Sequence, residues 1–250
     1  TPFDATAVDL LESLAVPAYK VASFELVDIP LIERVAATGK PLILSTGMAT
    51  LEEVVRALGV ARAAGAEQVA LLHCVSAYPV PRGSENLRAI RTLAEACDVT
   101  VGLSDHGDDV FAMPLAVALG ASIYERHLVL AGDDEAVDRA VSSTPEELAA
   151  AIELARRAFS ALGPGSKACL TAESSNIVAS RRSLFAARDL PAGTLLRPDD
   201  FVALRPATGL APVFLDRLAG RRLLRALPQG QPVTEAHCDL NGVYVRDGIV

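Results

Sequence analysis

The sequence predicts an α/β fold, a parallel (β/α)8 barrel lacking its first strands and followed by a small mostly-β module. Three observations carry this. Short apolar strand-like runs alternate with helix-like runs as far as residue 162, the pattern of parallel strands joined by helical crossovers. Unusual polar residues fall at the end of one strand after another, which is how a barrel assembles a site from many strand ends. Beyond a stretch of Gly, Pro, Ser and other small residues at 163–178, short runs separated by Pro and Gly turn signals replace the alternation. An open doubly wound sheet would ordinarily mark its ligand site with a glycine-rich turn, and neither GxGxxG nor GxxxxGK(S/T) occurs.

Taken in order, Thr1 to Asp4 reads as the end of an earlier strand and Thr6 to Leu14 as a helix. Strands are expected at Tyr19 to Ser23, Leu42 to Thr46, Val69 to Cys74, Val99 to Ser104 and Ser122 to His127. Helices around Ile29 to Ala37, Leu51 to Ala64, Glu85 to Ala96 and Asp109 to Leu119 connect them. Thr144, Pro145 and Glu147 supply the N-cap, N1 proline and N3 glutamate of a helix reaching Leu162. These strands are too few to close an eight-stranded barrel, so the first ones are missing from the chain. The first unit therefore spans 1–162, a linker 163–178, the small module 179–240 and a tail 241–250. Within the module, Ser183 to Ala187, Phe201 to Arg205 and Arg221 to Leu224 are short runs set off by Pro191, Gly193, Gly209 and Gly230. Such a module holds little independent core, and docking on a barrel would suit it.

Composition narrows the function. The 250 residues suffice for one large domain or a domain with a companion. No apolar run approaches the roughly 18 residues of a membrane span. A net charge of −8 argues against a general nucleic-acid surface but permits a small anionic substrate held by a few local cations. Lysines are scarce (Lys20, Lys40, Lys167), so one in a pocket stands out. Cys74, Cys97, Cys169 and Cys238 lack CxxC spacing and read as reduced thiols of a cytoplasmic protein. The start carries no signal peptide, and Thr1 in place of Met suggests that the natural beginning is missing.

His106 and His127 lie 21 residues apart, the length of one crossover helix plus one strand. Neighbouring strands run about 4.8 Å apart, so two imidazoles at adjacent strand ends could share a divalent cation, or each could simply hydrogen-bond its neighbours. Lys20, if it points into the barrel, would need an anion such as a substrate phosphate or carboxylate; otherwise it is a surface lysine at a strand edge. Ser23, Ser45, Ser76 and Ser104 end successive strands and together could line a phosphate site; singly, each reads as a turn or cap residue. Glu25 and Asp138 could bind hydroxyls or move protons, or stand as solvated loop acids. Asp133, Asp134 and Glu135 lack EF-hand spacing and read as a solvated loop. Arg205, before a Pro and a Gly, could reach a carboxylate or amide oxygen, though alone it reads as a surface residue.

The ordered runs Thr1-Pro2-Phe3-Asp4, Tyr19-Lys20-Val21-Ala22-Ser23-Phe24-Glu25, Leu44-Ser45-Thr46-Gly47-Met48, His73-Cys74-Val75-Ser76-Ala77-Tyr78-Pro79, Gly102-Leu103-Ser104-Asp105-His106 and Glu125-Arg126-His127 resemble the sialic acid synthase family. Arg182-Ser183-Leu184-Phe185, Asp189 to Gly193 and Arg205-Pro206 resemble the antifreeze-like (SAF) domain that follows the TIM barrel of that family. The resemblance implies an enzyme that condenses phosphoenolpyruvate with an N-acetylated amino-sugar aldehyde and releases phosphate. It implies that His106 and His127 hold Mn or Mg, with Co as a further candidate. Thr1, Lys20, Ser23, Ser45, Ser76 and Ser104 would contact substrate, most of them around phosphoenolpyruvate. Glu25, Tyr78 and Asp138 would face the sugar or the reacting carbons. Arg205 would reach the sugar amide in a partner subunit's barrel, which implies a homodimer with exchanged C-terminal domains.

Within the family, Ser23 to Pro30 and Arg182 to Phe185 look most like the pseudaminic acid synthases, whose sugar is a 2,4-diacetamido-2,4,6-trideoxy-L-altrose. The neuraminate branch usually has a Gly-Ser-Gly-Glu type run at the first place and Asn at the position of Ser76. Departures are Gly107 after His106, where Thr is common, Arg139 after Asp138, where Ser is usual, and the missing first strands with their acidic residue and lysine. A chain truly beginning at Thr1 is expected to be inactive. Within the family the alternative is an N-acetylneuraminate or legionaminate synthase; a non-catalytic carbohydrate-binding or assembly protein of the same fold is the rival from another class, and the SAF-like module argues against a phosphoenolpyruvate-using barrel of the 3-deoxy sugar acid type.

Overall fold

A computed structural model describes residues 1–133 and 135–238; Asp134 and the expected tail at 241–250 lie outside the described residues. The chain divides into two compact units, Thr1–Gly165 and Ser166–Val250.

In the first unit, α1 (Ala5–Ser13), β1 (Tyr19–Val21), α2 (Ile29–Ala36), β2 (Leu42–Ser45), α3 (Leu51–Ala63), β3 (Val69–Cys74), α4 (Ala89–Cys97), β4 (Thr100–Asp105), α5 (Ala112–Ala118), β5 (Ile123–Leu128), β6 (Ser142–Ser143) and α6 (Pro145–Leu162) follow one another. The strands form one sheet in the order β1-β2-β3-β4-β5-β6, every pair parallel. Side chains alternate strictly between its faces. Tyr19, Val21, Leu42, Leu44, Leu71, Val101 and Leu103 point outward into a core shared with Ile32, Val35, Val54, Leu58, Ile90 and Leu93 of the helices. The other face carries Lys20, Ser45, Cys74, Ser104, Glu125 and His127. Lys20 of β1 and Glu125 of β5 meet at 3.3 Å although four strand spacings separate them. On a flat sheet that interval is about 19 Å, beyond the reach of the two side chains, so the sheet is curled with its polar face inside. This is the curved parallel sheet of a TIM barrel.

Some expected boundaries move for local reasons. Residues 1–4 hold no strand end; Asp4 instead caps α1, its carboxylate accepting from Ala7 N at 2.8 Å. The helix expected from Glu85 starts at Ala89, because Gly83 and Asn86 take positive φ in the preceding turn. The one expected from Asp109 starts at Ala112, the Asp109 carboxylate instead accepting from Phe111 N at 2.8 Å. β6 was not anticipated. The Thr144 capping box forms as expected, with the threonine and Glu147 satisfying each other's backbone N–H groups.

In the second unit, the stretch expected as a linker contains α7 (Thr171–Ser174) and most of α8 (Asn176–Ser180), nearly all of it exposed. β7 (Ser183–Ala186) pairs antiparallel with β8 (Phe201–Leu204), and α9 spans Leu215–Leu218. Leu184, Leu190, Leu196, Phe201, Leu218, Leu223 and Val233 form this unit's own core. Arg221 to Leu224 contributes single bridges, Arg222 to Leu195 and Leu223 to Cys238, in place of the strand expected there. Among the described residues no helix is long and apolar enough to cross a membrane.

Candidate active site

The polar side chains gather at the C-terminal ends of the strands, on the inner face. His106 directly follows β4, and His127 lies near the end of β5; their ring centroids are 5.4 Å apart. The Nδ1 of His106 lies 3.1 Å from the Val75 carbonyl, an acceptor only, so that nitrogen carries the proton and donates. His127 Nδ1 lies 3.3 Å from the Asp138 carboxylate. Each imidazole thus has Nδ1 tied to a protein acceptor, which orients Nε2 as the lone-pair nitrogen. Tyr78 stacks at a tilt on His106 at 4.2 Å and meets His127 edge-on at 6.0 Å. Burial, followed by the nearby Cys74, raises the Tyr78 phenol's pKa, so it stays protonated. Burial disfavours the His106 imidazolium, but hydrogen bonds with Cys74 and Val75 outweigh it and raise the pKa.

A second group lies deeper. Glu125 accepts from Ser104 Oγ at 2.8 Å and pairs with Lys20 Nζ at 3.3 Å. Ser23 Oγ accepts from Gly47 N at 3.0 Å, and a Cβ on Gly47 would stand 2.2 Å from Ser76 Oγ and 2.8 Å from Ser23 Oγ. The bare glycine lets the two hydroxyls pack against its Cα, in space that a side chain would fill. Ser45 Oγ and Glu25 Oε2 are buried with no hydrogen-bond partner. An orphaned buried hydroxyl costs about 1–3 kcal/mol, so both atoms point to a ligand that completes them. A cavity of about 530 Å3 beside the β2 and β3 ends is lined by Thr46, Cys74 and Ser76 but also by the outward-facing His73 and by Val54 and Leu93 of α3 and α4, so it extends between these helices and is not the inner-face site itself.

Lys20, Ser23, Ser76 and Ser104 therefore fall among polar partners, and His106, His127, Tyr78 and Asp138 form one connected cluster. Thr1 is not among its described contacts. Thr1 is exposed beside the buried Pro2, and Arg205, in the second unit, donates from Nε to Ser180 O at 2.7 Å. His73, also near a strand end, faces outward and donates to Glu85 O at 2.8 Å. Glu125 is the residue that the sequence left without a role. Its signal was present, a carboxylate one turn of strand pleat from His127, but its two partners come from other strands.

The NeuB family profile matches residues 1–167 and the SAF domain profile residues 181–237. The chain belongs to the NeuB family. Among relatives in this family, the pseudaminic acid synthase of Helicobacter pylori is 37% identical over 236 residues, covering 94% of this chain and 69% of the relative. The N,N'-diacetyllegionaminic acid synthase of Campylobacter jejuni is 35% identical over 223 residues, covering 88% and 67%. The crystal structure of spore coat polysaccharide biosynthesis protein spsE from Bacillus subtilis superposes with a TM-score of 0.62 at 29% identity, over 98% of this chain and 73% of that one. The chain spans about two thirds of the length of the curated relatives it matches. Membership in this synthase family, the TIM-barrel fold and the C-terminal SAF domain agree with the reading of the motifs.

Proposed function

We propose that this chain carries the condensing site of a nonulosonic acid synthase, which joins phosphoenolpyruvate to an N-acetylated amino-sugar aldehyde and releases phosphate, and that its product is pseudaminic acid. The observation that carries the reading is the division of the inner face into an anion pocket and an imidazole pair. Lys20 with the hydroxyls of Ser23, Ser45, Ser76 and Ser104 and the Gly47 N–H suits a small phosphorylated carboxylate. The connected His106, His127, Tyr78 and Asp138 side chains, together with Glu25, are proposed to receive the aldehyde. In the reaction the methylene carbon of phosphoenolpyruvate bonds to the aldehyde carbon. The aldehyde oxygen takes a proton, water adds to the former enol carbon, and phosphate departs. Tyr78 and Asp138 touch the two imidazoles, and with Glu25, whose Oε2 is buried without a partner, they are the groups proposed to hold or pass these protons.

The imidazole pair fits a divalent ion such as Mn or Mg, with Co also compatible. Both Nδ1 atoms have protein acceptors, leaving two Nε2 lone pairs for one centre. Among the described residues no group of three or more His, Cys, Asp or Glu is arranged to hold a metal, so the remaining positions would fall to water and substrate. Such an ion supplies polarisation of the aldehyde oxygen. Arg205 is proposed to meet the sugar amide in the barrel of a partner subunit, in a homodimer with exchanged SAF domains. The free Cys74, Cys97, Cys169 and Cys238 support a proposed place in a reducing cytoplasm.

Phosphate release from phosphoenolpyruvate, followed with the full-length gene product and Mn, tests the reading. Fastest turnover is expected with 2,4-diacetamido-2,4,6-trideoxy-L-altrose, with the legionaminate and neuraminate precursors as comparison sugars. Release with another sugar alone would move the assignment within the family. Release with none would favour a non-catalytic carbohydrate-binding role.

A further inference from the structure

Directly behind the two histidines, on the outer face of the sheet, lies a buried ionic cluster. Asp105 and Arg126 are register partners on β4 and β5, and their side chains are 5% and 2% exposed. Arg126 Nη1 stands 3.3 Å from Asp105 Oδ2, and the same oxygen accepts from Tyr124 OH at 2.6 Å. Asp105 Oδ1 accepts from Gly107 N at 2.9 Å, on the far side of His106. Arg126 Nε donates to Ser143 Oγ on β6 at 3.0 Å, and Nη1 lies 3.5 Å from the Asp105 carbonyl. Five contacts thus join β4, β5, β6 and the loop after His106 through residues adjacent in sequence to both histidines.

We infer that Asp105 and Arg126 are positioning residues whose ion pair fixes the spacing and orientation of the His106 and His127 imidazoles. A buried ion pair rarely stabilises a fold more than apolar residues of the same volume, because desolvation offsets the attraction. What it supplies here is direction. A carboxylate held through both oxygens and a guanidinium held through Nε and Nη1 favour one relative placement of the strand ends, whereas apolar side chains would allow several. Alternation along a strand then carries that placement to the other face, where the next residue on each chain segment is a histidine.

The inference rests on the proposed metal role of the histidines, and the experiment separates the two. Mn affinity of the purified chain is measured by electron paramagnetic resonance for the unaltered protein, Asp105→Asn, Arg126→Lys and the double variant Asp105→Leu/Arg126→Met. Urea unfolding is measured alongside, and imidazole nitrogen shifts of both histidines are recorded by metal-free NMR. The double variant guards against simple loss of folding, since it replaces the pair by packed apolar groups. Mn binding at least tenfold weaker is expected in chains that remain folded, the range typical of outer-shell residues, together with displaced shifts of both histidines. Affinity within twofold and unchanged imidazole shifts in the folded double variant would overturn it. If the unaltered chain binds no Mn, the metal reading fails, and the metal-free imidazole shifts still decide whether the pair positions the rings.

Discussion

His106 and His127 each commit Nδ1 to a protein acceptor and keep Nε2 for the inner face, whereas His73, on the outer face, commits Nε2 to the Glu85 carbonyl. His106→Ala and His127→Ala are expected to lower metal-dependent phosphate release on the order of 100-fold or more, beyond what loss of an outer-shell partner costs. Their circular dichroism should match the unaltered protein, because both lie at the functional end of the strands. Gly47 makes a sharper test of the anion pocket. In Gly47→Ala the new methyl would meet two serine hydroxyls at 2.2 and 2.8 Å, and these flexible side chains can swing away. The expected result is a KM for phosphoenolpyruvate raised about tenfold, equivalent to roughly 1.4 kcal/mol, with little change in the urea midpoint. An unchanged KM would remove Ser23 and Ser76 from the pocket.

At the scale of elements, β3 is tied to the turn before α4 by His73, which is 6% exposed and donates to Glu85 O. Burial lowers the imidazole's pKa more than this hydrogen bond raises it. With the folded value below the unfolded value of about 6.5, the stabilisation is complete above that pH and is lost as pH falls toward the folded value. The urea midpoint should therefore drop between about pH 7.5 and 5.5, and drop less in His73→Gln, which cannot take up the proton. The strands were legible in the sequence because Tyr19, Val21, Leu42, Leu44, Leu71, Val101 and Leu103 alternate with inward residues, and that period survives without any knowledge of partners. Ser142–Ser143 was not, since two serines carry no apolar period and become a strand only by pairing with His127 and Leu128. The site divides in the same way. Residues inside motifs could be named one by one, whereas the Lys20–Glu125–Ser104 link and the Asp105–Arg126 pair arise from register and curl, which place residues distant along the chain within hydrogen-bond reach.

For the whole molecule, two separate cores support two separable duties, and the exchanged-domain proposal assigns them to different chains. It can be read by complementation. Chains carrying His106→Ala and chains carrying Arg205→Ala, each weakly active alone, should regain activity when unfolded and refolded as a mixture, because a mixed dimer would contain one site with both residues intact. No recovery, in a mixture that sedimentation shows to be dimeric, would mean that Arg205 serves its own barrel or none.

The Lys20–Glu125 contact also bears on how an anion enters. An ammonium already neutralised by a carboxylate offers an arriving phosphate an exchange of partners, so part of the attraction is present before any ligand comes. Capture should then depend more weakly on ionic strength than the charges on phosphoenolpyruvate alone suggest. Glu125→Gln should steepen that dependence and tighten binding at low salt while slowing release, a trade visible in binding isotherms between about 0.02 and 0.3 M salt. Glu125 would in that case act as a resident competitor, keeping the pocket selective for ligands with enough charge to displace it.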